Sequence, residues 1–158
     1  MTYRRILVPL DGTGTSQRGL REALALAKPL GATLVLLHVI EAIIMVPEVG
    51  TAEVWASLRE GQEEAGRRLL DEALRVVKAE GVACESVLPD TQARRVADVI
   101  VERAATHQCD LIVMGTHGRR GVRRAILGSD AEIVLRQSPV PVLLVRGRDD
   151  GAAGAARV

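Results

Sequence analysis

The sequence predicts an α/β fold, a parallel sheet covered by helices on both faces. Short apolar runs alternate five times with helical stretches along the 158 residues. Several of those runs, such as Thr33-Leu-Val-Leu-Leu-His-Val39, are continuously apolar, as strands buried on both faces must be. The intervening stretches carry their apolar residues at helical spacing and stop at glycine.

The first strand is expected over Arg5–Leu10, with Pro9 near its end because proline has no N–H for a ladder. Gly12-Thr-Gly-Thr-Ser16 reads as a turn, after which Leu20, Ala23, Leu24, Ala27 and Leu30 mark a helix stopped by Gly31. Thr33–Val39 is the second strand, and residues 40–52 read as an irregular connection. A long helix is expected from about Glu53 to Glu80, with Leu69, Ala73, Val76 and Val77 as its apolar stripe and Gly81 after it. Its first half contains Gly61 and Gly66 and is the less strongly marked part.

Ala83–Leu88 is of mixed polarity and suits a sheet edge. Pro89-Asp-Thr91 leads into a helix carrying Val96, Val99, Ile100 and Ala104. Leu111-Ile-Val-Met114 is a fourth strand and Val140–Val145 a fifth, separated by a short helix ending near Gln137. Residues 1–147 read as one domain without internal repeats, and the Gly- and Ala-rich residues 148–158 as a disordered tail.

Composition narrows the function. Apolar residues make up 47% of the chain, yet Tyr3 and Trp55 are its only aromatics. The core must therefore be aliphatic, and the stacking platforms of single-strand nucleic-acid binders are lacking. A net charge of +1 argues against general polyanion binding, so no nucleic-acid partner is expected. No run approaches the ~18 apolar residues of a membrane span, and no signal-peptide pattern opens the chain. Cys84 and Cys109 fall in no metal or redox spacing and fit a reducing cytoplasm.

The chemistry concentrates between Gly115 and Ser129. Gly115, Gly118 and Gly128 let the backbone approach a ligand with no Cβ in the way, and Arg119, Arg120, Arg123 and Arg124 add positive charge. Ser129-Asp-Ala-Glu132 reads as a capping box, which would open a helix and offer its N-terminal amides to an anion such as phosphate. Walker-type and dinucleotide glycine loops are excluded: no Gly-Lys-Ser or Gly-Lys-Thr occurs, and Gln17 stands where Gly12 and Gly14 would need a third glycine.

The pattern Gly115-x2-Gly118-x9-Gly128-Ser129 resembles the nucleotide-binding motif of the universal stress protein family. Tyr3–Gly12, Gly31–Val39, Asp110–Gly118 and Ser138–Arg146 resemble that family's strands, so the likeness covers nearly the whole chain. It implies a five-stranded sheet of order 3-2-1-4-5, whose winding reverses between strands 1 and 4. Ligands of open α/β sheets bind at that reversal, beyond the strands' carboxyl ends.

The resemblance also implies an adenine-nucleotide site formed by Pro9, Asp11, Val39, Met114, Gly115, Gly118, Arg119, Arg120, Gly128, Ser129, Asp130 and Ala131. The ligand would be ATP, with AMP or ADP as variants and Mg²⁺ as a companion. Asp11 has two readings, a partner for ribose or adenine and an Asx turn capping the next helix. Val39 would offer backbone groups to adenine, Gly115 would pass the ribose, and Gly118, Gly128 and Ser129 would surround phosphates with Arg119 and Arg120. Ser129 as N-cap is compatible with that role.

Asp130 departs from the family pattern, which has a small apolar or hydroxyl residue there. Its carboxylate would repel phosphates unless it points away or a divalent cation bridges it, and it otherwise shifts preference from ATP toward AMP or no ligand. His117 has no nucleophile or orienting acid paired with it in the sequence. His38 reads as a satisfied core or strand-end histidine, and His107 as a helix cap or solvent-facing side chain. No general base or dedicated Mg²⁺ carboxylate pair is marked, so at most slow ATP hydrolysis is expected.

Two functions follow: a cytoplasmic ATP-binding stress sensor or regulator, and a nucleotide-independent dimeric interaction module. A homodimer through the apolar strand Val140–Val145 is expected under both. A ligase on this fold would need an acceptor domain that 158 residues do not supply.

Overall fold

The structure is a computed structural model and describes residues 2–41, 50–89, 94–116 and 127–147. Its strands β1 (Arg5–Pro9), β2 (Thr33–Leu37), β3 (Cys84–Val87), β4 (Leu111–Gly115) and β5 (Val142–Val145) form one parallel sheet. Their order is β3-β2-β1-β4-β5, the one expected. The helices are α1 (Gly14–Leu30), α2 (Ala52–Ala79), α3 (Val96–Thr106) and α4 (Ser129–Gln137).

Alternation along the central strands sorts the core into two layers. Ile6, Val8, Leu34, Leu36 and Val113 face Leu20, Ala23 and Ala27 of α1 and Leu70, Ala73 and Val77 of α2. Leu7, Val35, Leu37, Ile112 and Met114 face Ala97, Val99, Ile100 and Ala104 of α3 and Ala131 and Val134 of α4. Each fully buried Leu or Ile among them is worth about 1.5–3 kcal/mol, so the aliphatic sheet carries the fold.

Several boundaries differ from the sequence reading, most of them by one residue. Helix α1 starts at Gly14 rather than after Ser16, because Thr13 caps it with Oγ1 accepting from Ser16 N at 3.2 Å. Strand β5 starts at Val142 rather than Val140. There Ser138 Oγ donates to the Val140 carbonyl at 2.7 Å and accepts from its N–H, holding Val140 in a turn. Strand β2 ends at Leu37, although the His38 N–H continues the direction by donating to Val87 O.

The apolar stripe of α2 is also rotated. Gly66, Leu70, Ala73 and Val77 are buried, whereas Val76 is 48% exposed and Leu69 half-buried. The helix does run through Gly61 and Gly66. Gly66 lies on the packed face, where a Cβ would meet the His38 ring at 2.7 Å. No side chain fits there, so a residue of poor helix propensity becomes the contact point.

At the amino-terminal end of the sheet, Arg5 donates from Nε to His107 O at 2.7 Å and pairs with Glu85, which also takes His107 Nδ1 at 3.1 Å. The Asp110 carboxylate accepts from the Arg4 and Arg5 amides. His107 is the C-cap of α3, its N–H donating to Arg103 O, and its ring is bound to an edge strand rather than left to solvent. This network lies at the end of the sheet opposite the glycine-bearing exits. No helix among the described residues is long and apolar enough to cross a membrane.

Candidate nucleotide crevice

The opening between β1 and β4 follows from one missing donor. The Asp110 N–H donates to Arg5 O at 2.9 Å, so the polar groups of Arg5 face β4. Those of Leu10 face β2, since Leu10 N donates to Leu37 O at 2.7 Å. Alternation then turns Leu7 and Pro9 toward β4, and Pro9 has no N–H to give. Accordingly β1 pairs with β4 only at Ile6–Leu111 and Leu7–Ile112. Pairing with the outer neighbours continues to Pro9–Leu37 and Gly115–Val145. The two central strands part at their carboxyl ends, where the winding reverses.

Below the opening, Asp11 leaves β1 and folds back. Its Oδ1 accepts from Thr13 N at 2.9 Å and from Thr13 Oγ1 at 2.6 Å. The Asx-turn reading of Asp11 therefore holds, and it presents Thr13 to cap α1. Gly12 adopts φ +83°, a left-handed backbone that suits glycine.

On the β4 side, Met114 is buried and Gly115 presses against α1. A Cβ on Gly115 would stand 2.7 Å from Thr15 Cγ2 and 3.1 Å from the Thr15 carbonyl carbon. Thr15 Oγ1 in turn lies 3.2 Å from where a Gly147 Cβ would be. The absence of a side chain at Gly115 thus serves helix packing, a use that its place in a ligand motif does not reveal. Thr15 was missed for the same reason. Its only sequence signal was a hydroxyl inside a run read as a turn.

The two ends of the stretch between β4 and α4 are tied together. Thr116 N donates to Val145 O at 2.9 Å, and Thr116 O accepts from Gly128 N at 2.8 Å. That second bond fixes Gly128 as the N-cap of α4, with φ −60° and ψ 146°. Ser129 is consequently the first helical residue, exposed, and the cap has no side-chain hydrogen bond. The expected capping box does not form. Glu132 instead pairs from Oε1 with Arg136 Nη2 at 2.9 Å.

The first amides of α4 have no acceptor within the helix, the condition for receiving an anion. Asp130 stands in that first turn, where the helix dipole favours a carboxylate. It is half-buried, and Ala131 beside it is buried in the α3–α4 layer. Val39 is buried beyond β2. His117, Gly118, Arg119 and Arg120 lie outside the described residues.

Comparison with known proteins places this arrangement. The family model described as Universal stress protein family matches residues 2–146. A universal stress protein of Thermus aquaticus is 35% identical over 148 residues, covering 91% of this chain and 99% of its own. The solved structure of MJ0577, a universal stress protein of Methanocaldococcus jannaschii, matches with a TM-score of 0.81 at 25% identity, over 94% of this chain and 99% of that one. A universal stress protein solved in complex with cAMP matches with a TM-score of 0.63 at 26% identity, over 92% and 98% of the two chains. The chain belongs to the universal stress protein family.

Proposed function

We propose that this protein binds an adenine nucleotide, ATP above all, in the crevice between β1 and β4. It then acts as a cytoplasmic stress-response sensor or regulator rather than as a dedicated enzyme. The observation that carries the reading is the parting of the two central strands at Pro9, directly beside the glycine-bearing exits and the amides of α4. The relative solved with cAMP, a compact adenine nucleotide, supports the ligand class.

Asp11 and Val39 would meet the adenosine half, with Pro9 and Met114 beside them at the strand ends. Gly115 would pass close to the ribose. Ser129 and Ala131 would offer amides to the anion, with Gly128, whose own N–H is taken by Thr116 O, leaving room beside them, joined by Gly118, Arg119 and Arg120 from the sequence pattern. Among the described residues no group of three or more His, Cys, Asp or Glu could hold a metal, so Mg²⁺ would be carried chiefly by the nucleotide. Two thiols without a disulfide fit the reducing cytoplasm.

A homodimer through β5 completes the proposal. This strand is a sheet edge with Leu143 39% exposed, a template for a second copy. The same edge supports the second reading, an interaction module that needs no nucleotide. Isothermal titration of nucleotide-free protein separates the two. Heat with ATP, ADP or AMP is expected, and none at millimolar concentration leaves only the interaction module.

A further inference from the structure

His38 is 4% exposed at the carboxyl end of β2. Its Nδ1 lies 2.7 Å from Leu10 O. A carbonyl oxygen only accepts, so the proton is on Nδ1. The other polar group of Leu10 is also held by β2, through Leu10 N donating to Leu37 O. The peptide that delivers Asp11 to the crevice is therefore clamped from one side by a backbone bond and a histidine. Val39 follows His38 directly in the chain, and the His38 N–H donates to Val87 O of β3 at 3.1 Å.

The far edge of the ring meets α2. A Cβ on Gly66 would stand 2.7 Å from His38 Cδ2, 3.3 Å from Nε2 and 3.1 Å from Leu88 Cδ1. The glycine makes a notch in the helix that the imidazole fills. The first half of α2, before that notch, is largely exposed, with Val54 and Leu58 at 48% and 50%. One side chain thus bridges the crevice wall and a helix whose outer half faces solvent.

We infer that His38 is a positioning residue of the crevice: wedged between Leu10 O and the Gly66 notch, it couples nucleotide occupancy to the seating of α2. The inference rests on the nucleotide reading above. A ligand drawing Asp11 and Val39 into place steadies the ring, and the ring steadies α2. By reciprocity, disturbing α2 at Gly66 weakens the ligand by the same factor. The exposed half of α2 then becomes the surface on which occupancy is displayed.

The amide nitrogen of Asn can take the place of Nδ1, whereas that of Gln falls nearer Nε2. His38→Gln should weaken AMP binding at least tenfold by titration calorimetry, and His38→Asn should restore it to within about threefold of wild type. Gly66→Ala should weaken AMP at least fivefold although alanine is the better helix former, and adding it to His38→Gln should weaken binding little further. Hydrogen exchange of α2 amides should slow on adding AMP in wild type but not in His38→Gln.

Equal affinities in Asn and Gln variants, wild-type affinity in Gly66→Ala, or losses that follow thermal stability variant by variant would overturn the coupling. A ligand-free arm keeps the test independent of the nucleotide reading. Without AMP, His38→Gln should speed exchange of the Asp11 and Thr13 amides at least tenfold while β4 amides stay unchanged. If wild type binds no nucleotide, that arm decides alone, and unchanged exchange there refutes the positioning role.

Discussion

Replacing Gly115 by alanine tests whether the glycine is there for the helix or for the ligand. Alanine normally favours a strand over glycine, by about 0.4–1 kcal/mol through the unfolded chain. Here the new Cβ would stand 2.7 Å from Thr15 Cγ2, 3.1 Å from the Thr15 carbonyl carbon and 3.2 Å from its oxygen. Carbon contacts are comfortable near 3.5–4.0 Å, so α1 must shift by roughly 1 Å or Thr15 must leave its rotamer. Overpacking of that size costs about 1–3 kcal/mol, which exceeds the entropic gain. Gly115→Ala should therefore lower the stability of nucleotide-free protein by about 1–2 kcal/mol, read from urea unfolding. Thr15→Ser removes the worst contact but leaves the two backbone ones, so the double variant should recover about half of the loss. A stability within 0.5 kcal/mol of wild type, or no recovery on adding Thr15→Ser, would refute the packing argument.

Burial pushes the Cys109 thiol up to about 11 from the ordinary 9.0. The folded state then binds a proton that the unfolded state releases, so stability is full below pH 9 and falls as pH rises toward 11. The expected decline is on the order of 2 kcal/mol, and a Cys109→Ala variant should show less of it. A pH curve identical in both proteins would exclude the thiol as cause. Asp130→Ala should raise ATP affinity several-fold more than AMP affinity, while its lost dipole interaction costs about 0.3–1 kcal/mol of stability. Equal changes for the two ligands would place the carboxylate away from the terminal phosphates. Wild type should scatter light at twice the 16.9 kDa chain mass, and Leu143→Lys should reduce this to one chain. A wild-type monomer at micromolar concentration would rule out pairing through β5.

How far the sequence could be read depends on which residues carry a local signal. Continuous apolar runs such as Leu34–Leu37 identified β2 because a strand buried on both faces has no other pattern, and Gly31 at φ +63° ended α1 as its type requires. Strand order came from a family likeness and not from spacing, since five alternating units can wind in several ways. The α2 stripe rightly holds Ala73 and Val77 but takes Leu69 in place of Leu70 and adds the exposed Val76, because these residues are as apolar as their neighbours. Only contact with β2 and β3 chooses between neighbouring faces of a helix.

The same limit governs the site. Glycine and arginine types raised the expectation of an anion site after β4, and the proline marked the end of β1, since those side-chain properties exist before the chain folds. Which way Pro9's missing donor points was decided by the register of β1 between β2 and β4. The failed capping box at Ser129 was decided by a bond from Gly128 to Thr116, and the burden on Gly115 by where α1 lies. Chemistry is a property of residues, but direction and clearance arise only when strands distant in sequence become neighbours.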